Sequence, residues 1–318
     1  MIRLMATPVI DNNFHSKNPR LMALKRTAGF FSTLLTTSLL MGCAVYQPGF
    51  EASESNKQHY NIQSVEKDIV YSNRSNTPPL KADLYLPGRG DLIPVVITIH
   101  GGGWSGRSRG DIEAVAKKLT RRGYAVFNIS YHFAPDFKYP TQLHDVQDAL
   151  RWIDQNHRDY NLDRNRINTW GYSSGAHLAA LTAAETDSTD PLPPVNAVVA
   201  GGIPADLSVY SNSPIIIPFI GGNRGEKADT YRQASPINHI TPEHPPVFLF
   251  HGKNDGLVEV EQSINYHHAL QDQGIKSELY LHRLWGHFAM FLFGWDAEDK
   301  ALDFLDHYNG RLPSNTAS

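Results

Sequence analysis

Residues 166–184 read RINTWGYSSGAHLAALTAA, and this stretch decides the fold because a strand and a helix meet there at a serine. Arg166–Trp170 has the character of a short strand, whereas Ala176–Ala184 consists largely of good helix formers. Between them lies Gly171-Tyr172-Ser173-Ser174-Gly175, a G-x-S-x-G motif. This order predicts that Ser173 lies on a tight turn at the end of a buried strand.

A second glycine-rich motif lies upstream, at His100-Gly101-Gly102-Gly103-Trp104. It directly follows Pro94–Ile99, which has the pattern of a buried strand, and a helix is predicted to begin near Asp111. The backbone N–H groups of such a loop can stabilise an anion, and Ser173 can act as a nucleophile. Neither motif is specific alone, but in these strand contexts the pair supplies what acyl transfer needs.

Strands and helices alternate along most of the chain. The predicted strands are Asp68–Tyr71, Lys81–Leu86, Pro94–Ile99, Ala125–Tyr131, Ile167–Tyr172, Ala197–Ile203, Val247–His251 and Ser277–Leu281. The predicted helices are Ile112–Arg121, Leu143–Asn156, Gly175–Ala184, Glu261–Gln273 and Ala297–His307. This spacing predicts an α/β fold, with a mostly parallel eight-stranded sheet covered by helices on both faces. Residues 207–235 are irregular and apolar, which favours a pocket wall or a partial lid.

A serine nucleophile needs a base, and the base needs an acid that orients it. Asp255 follows the strand Val247–His251, and His287 follows the strand Ser277–Leu281. Active groups in such sheets lie at the carboxyl ends of the strands. The chain order Ser173, Asp255, His287 is the order found in α/β-hydrolases.

Other histidines and one other aspartate compete for these roles. His251 precedes the acid and is predicted to lie within its strand, and His282 falls at the end of a strand. His177 follows the serine turn and is interpreted as a packing residue. Asp145 lies early in a helix and is interpreted as a helix-start charge or a buried hydrogen-bond acceptor. We therefore assign the acid to Asp255 and the base to His287.

The chain resembles the α/β-hydrolase superfamily, in the HGGG-containing esterase and lipase branch near the hormone-sensitive-lipase-like bacterial carboxylesterases. The matching stretches come in the family order and cover roughly residues 67–308; they are HGGGW (100–104), YHFAPDFKYP (131–140), GYSSG (171–175), HGKNDGLV (251–258) and WGHF (285–288). The resemblance implies that Ser173 is the nucleophile, His287 the general base and acid, and Asp255 its orienting partner. It also implies an oxyanion hole formed by the backbone N–H groups of Gly102, Gly103 and Ser174. The region before HGGG is short and polar, so we expect a reduced cap.

We accordingly expect a serine carboxylic ester hydrolase that acts on small or short-acyl esters through an acyl-enzyme. Trp104, Tyr172 and Phe288 lie near the motifs and predict an apolar acyl pocket. No cofactor is expected, and no metal, because the chain has no H-E-x-x-H motif and only 1 Cys. No clustered basic segment points to nucleic acid.

Two other functions remain open from the sequence. An exopeptidase of the prolyl-oligopeptidase class would share the fold and the order of the triad. A catalytically retired binding protein would share the fold alone, although the intact set of Ser173, Asp255 and His287 argues against it. Hydrolysis of p-nitrophenyl acetate and of an aminoacyl p-nitroanilide separates esterase from exopeptidase.

The N-terminus has the features of an export signal. Residues 1–42 are interpreted as a targeting segment, with the signal peptide at 22–42 and Met22 as the start of translation. Lys25-Arg26 precedes an apolar run that ends in Leu40-Met41-Gly42-Cys43, which resembles a bacterial lipobox. Cys43 would be lipidated, and Ala44 after it favours outer-membrane sorting.

These features predict an envelope protein whose lipid anchor is its only contact with the membrane. We expect a lipidated Cys43 and a polar tether at 43–66, a catalytic domain at 67–310 and a polar tail at 311–318. The catalytic domain would then lie in the periplasm or on the cell surface.

Overall fold

A computed structural model describes residues 44–49, 58–75, 77–184 and 191–310 of the chain. The predicted targeting segment at 1–42, the lipidation site Cys43 and the tail at 311–318 lie outside the described residues. Among the residues described, no helix combines the length and the apolar character needed to cross a membrane.

One sheet organises the described residues. Its nine strands are β1 (Ala44–Gln47), β2 (Ile62–Ser72), β3 (Leu80–Pro87), β4 (Ile93–Ile99), β5 (Ala125–Ile129), β6 (Leu162–Tyr172), β7 (Val195–Gly201), β8 (Val247–Gly252) and β9 (Ser277–His282). Their order across the sheet is β1-β9-β8-β7-β6-β4-β5-β3-β2. The six central strands, β9-β8-β7-β6-β4-β5, pair with one another in parallel. At the two edges, β1 pairs antiparallel with β9, β3 with β5, and β2 with β3.

Helices cover both faces of the sheet. They are α1 (Glu113–Arg121), α2 (Thr141–Asn156), α3 (Ser174–Ala184), α4 (Ile216–Ile220), α5 (Ala228–Gln233), α6 (Glu261–Asp272), α7 (His287–Phe293) and α8 (Trp295–Tyr308). Short 3-10 turns lie at Arg109–Ile112, Leu207–Val209 and Pro236–His239. Buried residues of α2, α3 and α6 belong to one core, and those of α1 and α8 belong to the other.

Strand β4 shows how the sequence builds these two layers. All seven of its residues are buried, as expected for a parallel strand covered on both sides. Val95, Ile97 and Ile99 pack into one core, while Val96 packs into the opposite one. This alternation follows from the two-residue period of a strand. The continuous apolar run is therefore a central strand, and its carboxyl end delivers the glycine-rich motif to the edge of the sheet.

The predicted α/β-hydrolase fold is confirmed, with one correction at the sheet edge. All eight predicted strands and all five predicted helices are present, within two residues of the predicted bounds, except that β2 begins six residues and β6 five residues earlier than predicted. The sheet has a ninth strand, β1, which falls inside the segment predicted as a polar tether at 43–66. Strand β2 also begins at Ile62, so the tether interpretation is wrong for 44–47 and 62–66. In the described residues that precede β4, all regular elements are strands, consistent with the reduced cap.

Candidate active site

Ser173 lies on the turn between β6 and α3, as the G-x-S-x-G motif predicts. Its φ is 56°, a left-handed conformation that a non-glycine residue rarely adopts. The turn is tight because α3 begins directly against β4: a Cβ on Gly175 would lie 2.1 Å from the carbonyl oxygen of Ile99. The motif therefore needs glycine there, and the resulting turn holds Ser173 at the end of the strand.

Asp255 and His287 form a direct hydrogen bond. Asp255 Oδ2 lies 2.6 Å from His287 Nδ1, and both side chains are buried. The other carboxylate oxygen, Oδ1, accepts hydrogen bonds from the backbone N–H groups of Leu257 and Val258, each at 2.9 Å. His287 is the first residue of α7, and its backbone oxygen accepts a hydrogen bond from the Tyr172 hydroxyl at 2.6 Å. Asp255 thus holds the imidazole ring of His287, and Tyr172 holds its backbone.

The electrostatics of this pair favour an ionised aspartate. Burial alone would raise the pKa of Asp255, but hydrogen bonds from His251, His287 and the Val258 backbone outweigh it. The net effect is a pKa of Asp255 well below its ordinary value. A permanently charged Asp255 can orient His287 and stabilise its protonated form.

His251 contributes to this site in a way that sequence reasoning missed. It is fully buried at the end of β8, and its Nε2 lies 3.0 Å from Asp255 Oδ2 and 2.9 Å from Val258 O. Its Nδ1 lies 2.7 Å from Ser263 Oγ, so Nδ1 can accept while Nε2 donates to the carboxylate. The four-residue spacing between His251 and Asp255, across a strand-ending glycine, is the sequence signal that could have indicated this contact.

The predicted site residues meet around one cavity of about 270 Å³. Its lining includes every residue assigned to the nucleophile, the base, the oxyanion hole and the substrate pocket: Ser173, His287, Gly102, Gly103, Ser174, Trp104, Tyr172 and Phe288. Asp255 lies behind His287 and does not line the cavity itself. This is the arrangement expected for an orienting acid.

The glycine-rich loop is shaped by its backbone and anchored by Trp104. Gly102 has a φ of 127°, and a Cβ there would lie 2.3 Å from the carbonyl oxygen of Gly106. The Trp104 ring stacks on Phe219 at 4.4 Å, and its Nε1 donates to His177 Nδ1 at 3.3 Å. These contacts fix the loop beside Ser173.

His177 has the structural role that its position on α3 predicted. It is fully buried, and its Nε2 lies 2.6 Å from the carbonyl oxygen of Ala234. Burial lowers its pKa to about 4, so the ring is neutral near pH 7. A neutral ring can accept from Trp104 and donate to Ala234 at the same time.

The remaining candidates lie away from the reacting groups. Asp145 is buried and accepts hydrogen bonds from the backbone and the ring of His132, so it is a structural acceptor as predicted. His282 stacks on Trp285 with ring centroids 3.8 Å apart and does not line the cavity.

The walls of the cavity are largely apolar. Tyr210, Ile215 and Ile216 come from the irregular segment predicted as a pocket wall. Leu257 and Phe291 contribute from the other side. Across the described ranges, no group of three His, Cys, Asp or Glu side chains is placed to hold a metal ion.

Residues 82–270 match the family model described as BD-FAE. The chain belongs to the BD-FAE family. The match agrees with the expected relationship to α/β-hydrolase esterases, while the finer resemblance to hormone-sensitive-lipase-like enzymes stays a prediction.

Proteins of similar sequence are named as esterases. Esterase LipQ of Mycobacterium tuberculosis is 30% identical over 215 residues, which are 61% of this chain and 49% of the relative. The isoprenylcysteine alpha-carbonyl methylesterase ICME of Arabidopsis thaliana is 26% identical over 293 residues, or 85% of this chain and 67% of the relative. The chain spans about half the length of the mycobacterial relatives that it matches.

Solved structures share the fold. A truncated carbohydrate esterase from gut microbiota superposes with a TM-score of 0.68 at 23% identity, covering 81% of this chain and 100% of that one. Esterase 2 of Thermogutta terrifontis phosphoramylated by tabun has a TM-score of 0.67 at 23% identity, covering 80% of this chain and 98% of that one.

Proposed function

We propose that this chain is a serine carboxylic ester hydrolase that acts on small or short-acyl esters through an acyl-enzyme. The observation that carries the proposal is the 2.6 Å contact between His287 Nδ1 and Asp255 Oδ2, with His287 and Ser173 facing one cavity. The family match and the esterase relatives support the same reaction class. No specific contact among the described residues favours the alternative exopeptidase function.

In the proposed reaction, Nε2 of His287 removes the proton of Ser173 as its Oγ attacks the ester carbonyl carbon. Negative charge then develops on the carbonyl oxygen, where the backbone N–H groups of Gly102, Gly103 and Ser174 would stabilise it. His287, now protonated and stabilised by Asp255, gives its proton to the leaving alcohol. Water, activated by the same histidine, then releases the acid and restores Ser173.

The cavity supports a preference for a small, apolar acyl group. Its walls carry Trp104, Ile216 and Phe291 close to Ser173. A volume of about 270 Å³ lies just below the range typical of ligand pockets, which begins at about 300 Å³. We therefore propose that turnover of p-nitrophenyl esters falls as the acyl chain lengthens beyond a few carbons.

Replacing the nucleophile tests the proposed function. Ser173→Ala should abolish hydrolysis of p-nitrophenyl acetate without changing the melting temperature, because both side chains meet the same backbone strain at φ 56°. An aminoacyl p-nitroanilide should not be cleaved by the wild-type protein. A folded Ser173→Ala protein with wild-type turnover would refute the serine mechanism, and preferred cleavage of the anilide would favour the exopeptidase.

We also propose that Cys43 is lipidated and that the mature protein is an outer-membrane lipoprotein. The support is the sequence Leu40-Met41-Gly42-Cys43 after a basic start and an apolar run. In a bacterial host, the wild type should incorporate labelled palmitate and partition with membranes, and Cys43→Ser should be released or left unprocessed. An unmodified mature N-terminus downstream of Cys43 would overturn this proposal and leave the esterase proposal intact.

A further inference from the structure

Helix α7, which carries the base His287, is apolar on nearly all sides although it lies at the surface. Its sequence is HFAMFLF, and its one polar side chain, His287, is buried against Asp255. Met290 also faces inward, with 1% exposure. A helix that is apolar all round is normally buried in a protein core or in lipid. The outward side of α7 therefore lacks the polar residues that a surface helix in water usually presents.

Five large apolar side chains define what we call the apolar face. They are more than half exposed and come from α7 and its flanking residues: Leu284 (66%), Phe288 (60%), Leu292 (56%), Phe293 (51%) and Trp295 (62%). Phe288 and Leu292 are four residues apart and share one side of the helix. The ring centroid of Phe293 lies 6.2 Å from that of Trp295 and 6.4 Å from that of Trp285, so these three rings form one cluster. Contiguous exposed apolar surface marks an interaction site in soluble domains.

The location of the apolar face in the chain indicates what covers it. Strand β1 runs antiparallel to β9, with Ala44 paired to His282 at the carboxyl end of β9. The apolar face begins two residues after His282, at Leu284. The residue that precedes Ala44 in the sequence is Cys43, the proposed lipid anchor. The polar tether expected to separate that residue from the domain is instead a strand of the sheet.

We propose that the apolar face docks on the surface of a lipid bilayer, with α7 lying at the boundary between headgroups and acyl chains. The proposal rests on the proposed lipidation for its anchor and on the exposed side chains for its contact. Tryptophan, phenylalanine and leucine on one face are the residues of interfacial helices, and a lipid chain plus a second membrane contact gives more stable anchoring than either alone. Exposed charges of both signs, Arg283 and Asp296, border the face, so docking does not require anionic lipid.

This orientation would place the mouth of the cavity at the membrane. Phe288 belongs to the apolar face and also lines the cavity. Two further lining residues, Ile215 and Leu257, are 39% and 42% exposed. The rim of the site would thus be continuous with the docking surface, and esters dissolved in the bilayer surface would reach Ser173 without crossing bulk water.

A depth measurement on the full-length chain tests the docking. The chain has 1 Cys, so Leu292→Cys and Val70→Cys each add one thiol for a fluorescent label. Val70 is a matched control, because it is 50% exposed and lies on β2 at the opposite edge of the sheet. The labelled proteins are produced in a bacterial host and reconstituted into phosphatidylcholine vesicles whose acyl chains carry bromine, which quenches on contact. Circular dichroism spectra of both variants that match the wild type confirm that they are folded.

We expect brominated lipid to quench the Leu292→Cys label at least about twofold and to leave the Val70→Cys label unchanged. The reason is that interfacial side chains lie about 5–10 Å into the boundary between headgroups and acyl chains. Equal, negligible quenching at both positions would overturn the proposal. If the Leu292→Cys labels on two copies of the protein interact with each other and lipid does not quench them, the apolar face forms a dimer and the docking proposal is overturned.

The outcome is separable from the other proposals. Labelling of wild-type Cys43 would show that the lipid anchor is absent. In that case the unanchored protein is mixed with the vesicles. Co-flotation with the vesicles, together with quenching at Leu292→Cys, upholds docking, whereas protein left in solution refutes it. Quenching by a protein without esterase activity would refute the proposed function alone.

Discussion

At the residue scale, the site depends on how one carboxylate is shared. Asp255 Oδ2 lies 2.6 Å from His287 Nδ1 and 3.0 Å from His251 Nε2, while Oδ1 is held by two backbone N–H groups. Every lone-pair direction of the buried carboxylate is therefore in use. The hydrogen bond between His287 and Asp255 is thus accompanied by three others, from His251, Leu257 and Val258, that hold the carboxylate in place.

We predict that His251→Phe weakens catalysis without touching the cavity. Removing this donor loosens the position of Asp255 and with it the orientation of His287, so kcat should fall about tenfold or more with little change in KM. Steady-state kinetics measure both parameters.

The control for this variant is His268→Ala, which replaces an exposed histidine of α6. It should have wild-type kinetics. A His251→Phe protein with unchanged kcat would show that Asp255 does not need its second histidine.

At the element scale, β1 shows how contacts with distant side chains hold a short strand at the edge of the sheet. The hydroxyl of Tyr46 donates to Glu278 on β9, and Gln47 Oε1 lies 2.9 Å from His267 Nε2 on α6. Burial raises the pKa of Glu278, and the hydrogen bond from Tyr46 opposes that rise. Both contacts join residues more than 200 positions apart.

We predict that Tyr46→Phe lowers the free energy of unfolding by about 1–3 kcal/mol, because it leaves the buried Glu278 carboxyl without its donor. Adding Glu278→Gln to this variant should recover part of the loss. Urea denaturation followed by tryptophan fluorescence measures the difference. A midpoint unchanged by Tyr46→Phe would show that the contact with Glu278 does not stabilise β1 against the sheet.

Most of the sheet could be predicted because its strands are long apolar runs bounded by recognisable turns. Strand β1 could not, since AVYQ is four residues long and its pairing depends on Glu278 and His267. Helix α7 was missed because its apolar residues show no helical period. The triad candidates could be found from the sequence because each follows a strand. The role of His251 could not be found, because it depends on the direction in which its ring points.

At the scale of the whole molecule, buried neutral histidines should make stability depend on pH. Burial lowers the pKa of His100 and of His177 from 6.5 to about 4. In the unfolded chain both rings take up a proton below pH 6.5, while in the folded protein they do not until about pH 4. The unfolded state therefore binds more protons in this window, and stability falls as the pH falls from 6.5 towards 4.

We predict that unfolding takes up about one proton for each of these two histidines between pH 6 and pH 4.5. The slope of the unfolding free energy against pH measures the total uptake, to which these two rings contribute. His177→Asn should reduce the slope by about one proton. A wild-type stability that is flat across this window would contradict the assignment of both rings as neutral.

Reaction of the wild-type protein with a fluorophosphonate, followed by peptide mass spectrometry, tests whether Ser173 is the activated nucleophile of an esterase, as proposed. We predict one adduct, on Ser173, at a rate that His287→Ala lowers by about a thousandfold or more, together with ester hydrolysis. A folded wild-type protein that stays unlabelled, or that is labelled at another residue with equal loss of hydrolysis, would refute Ser173 as the nucleophile.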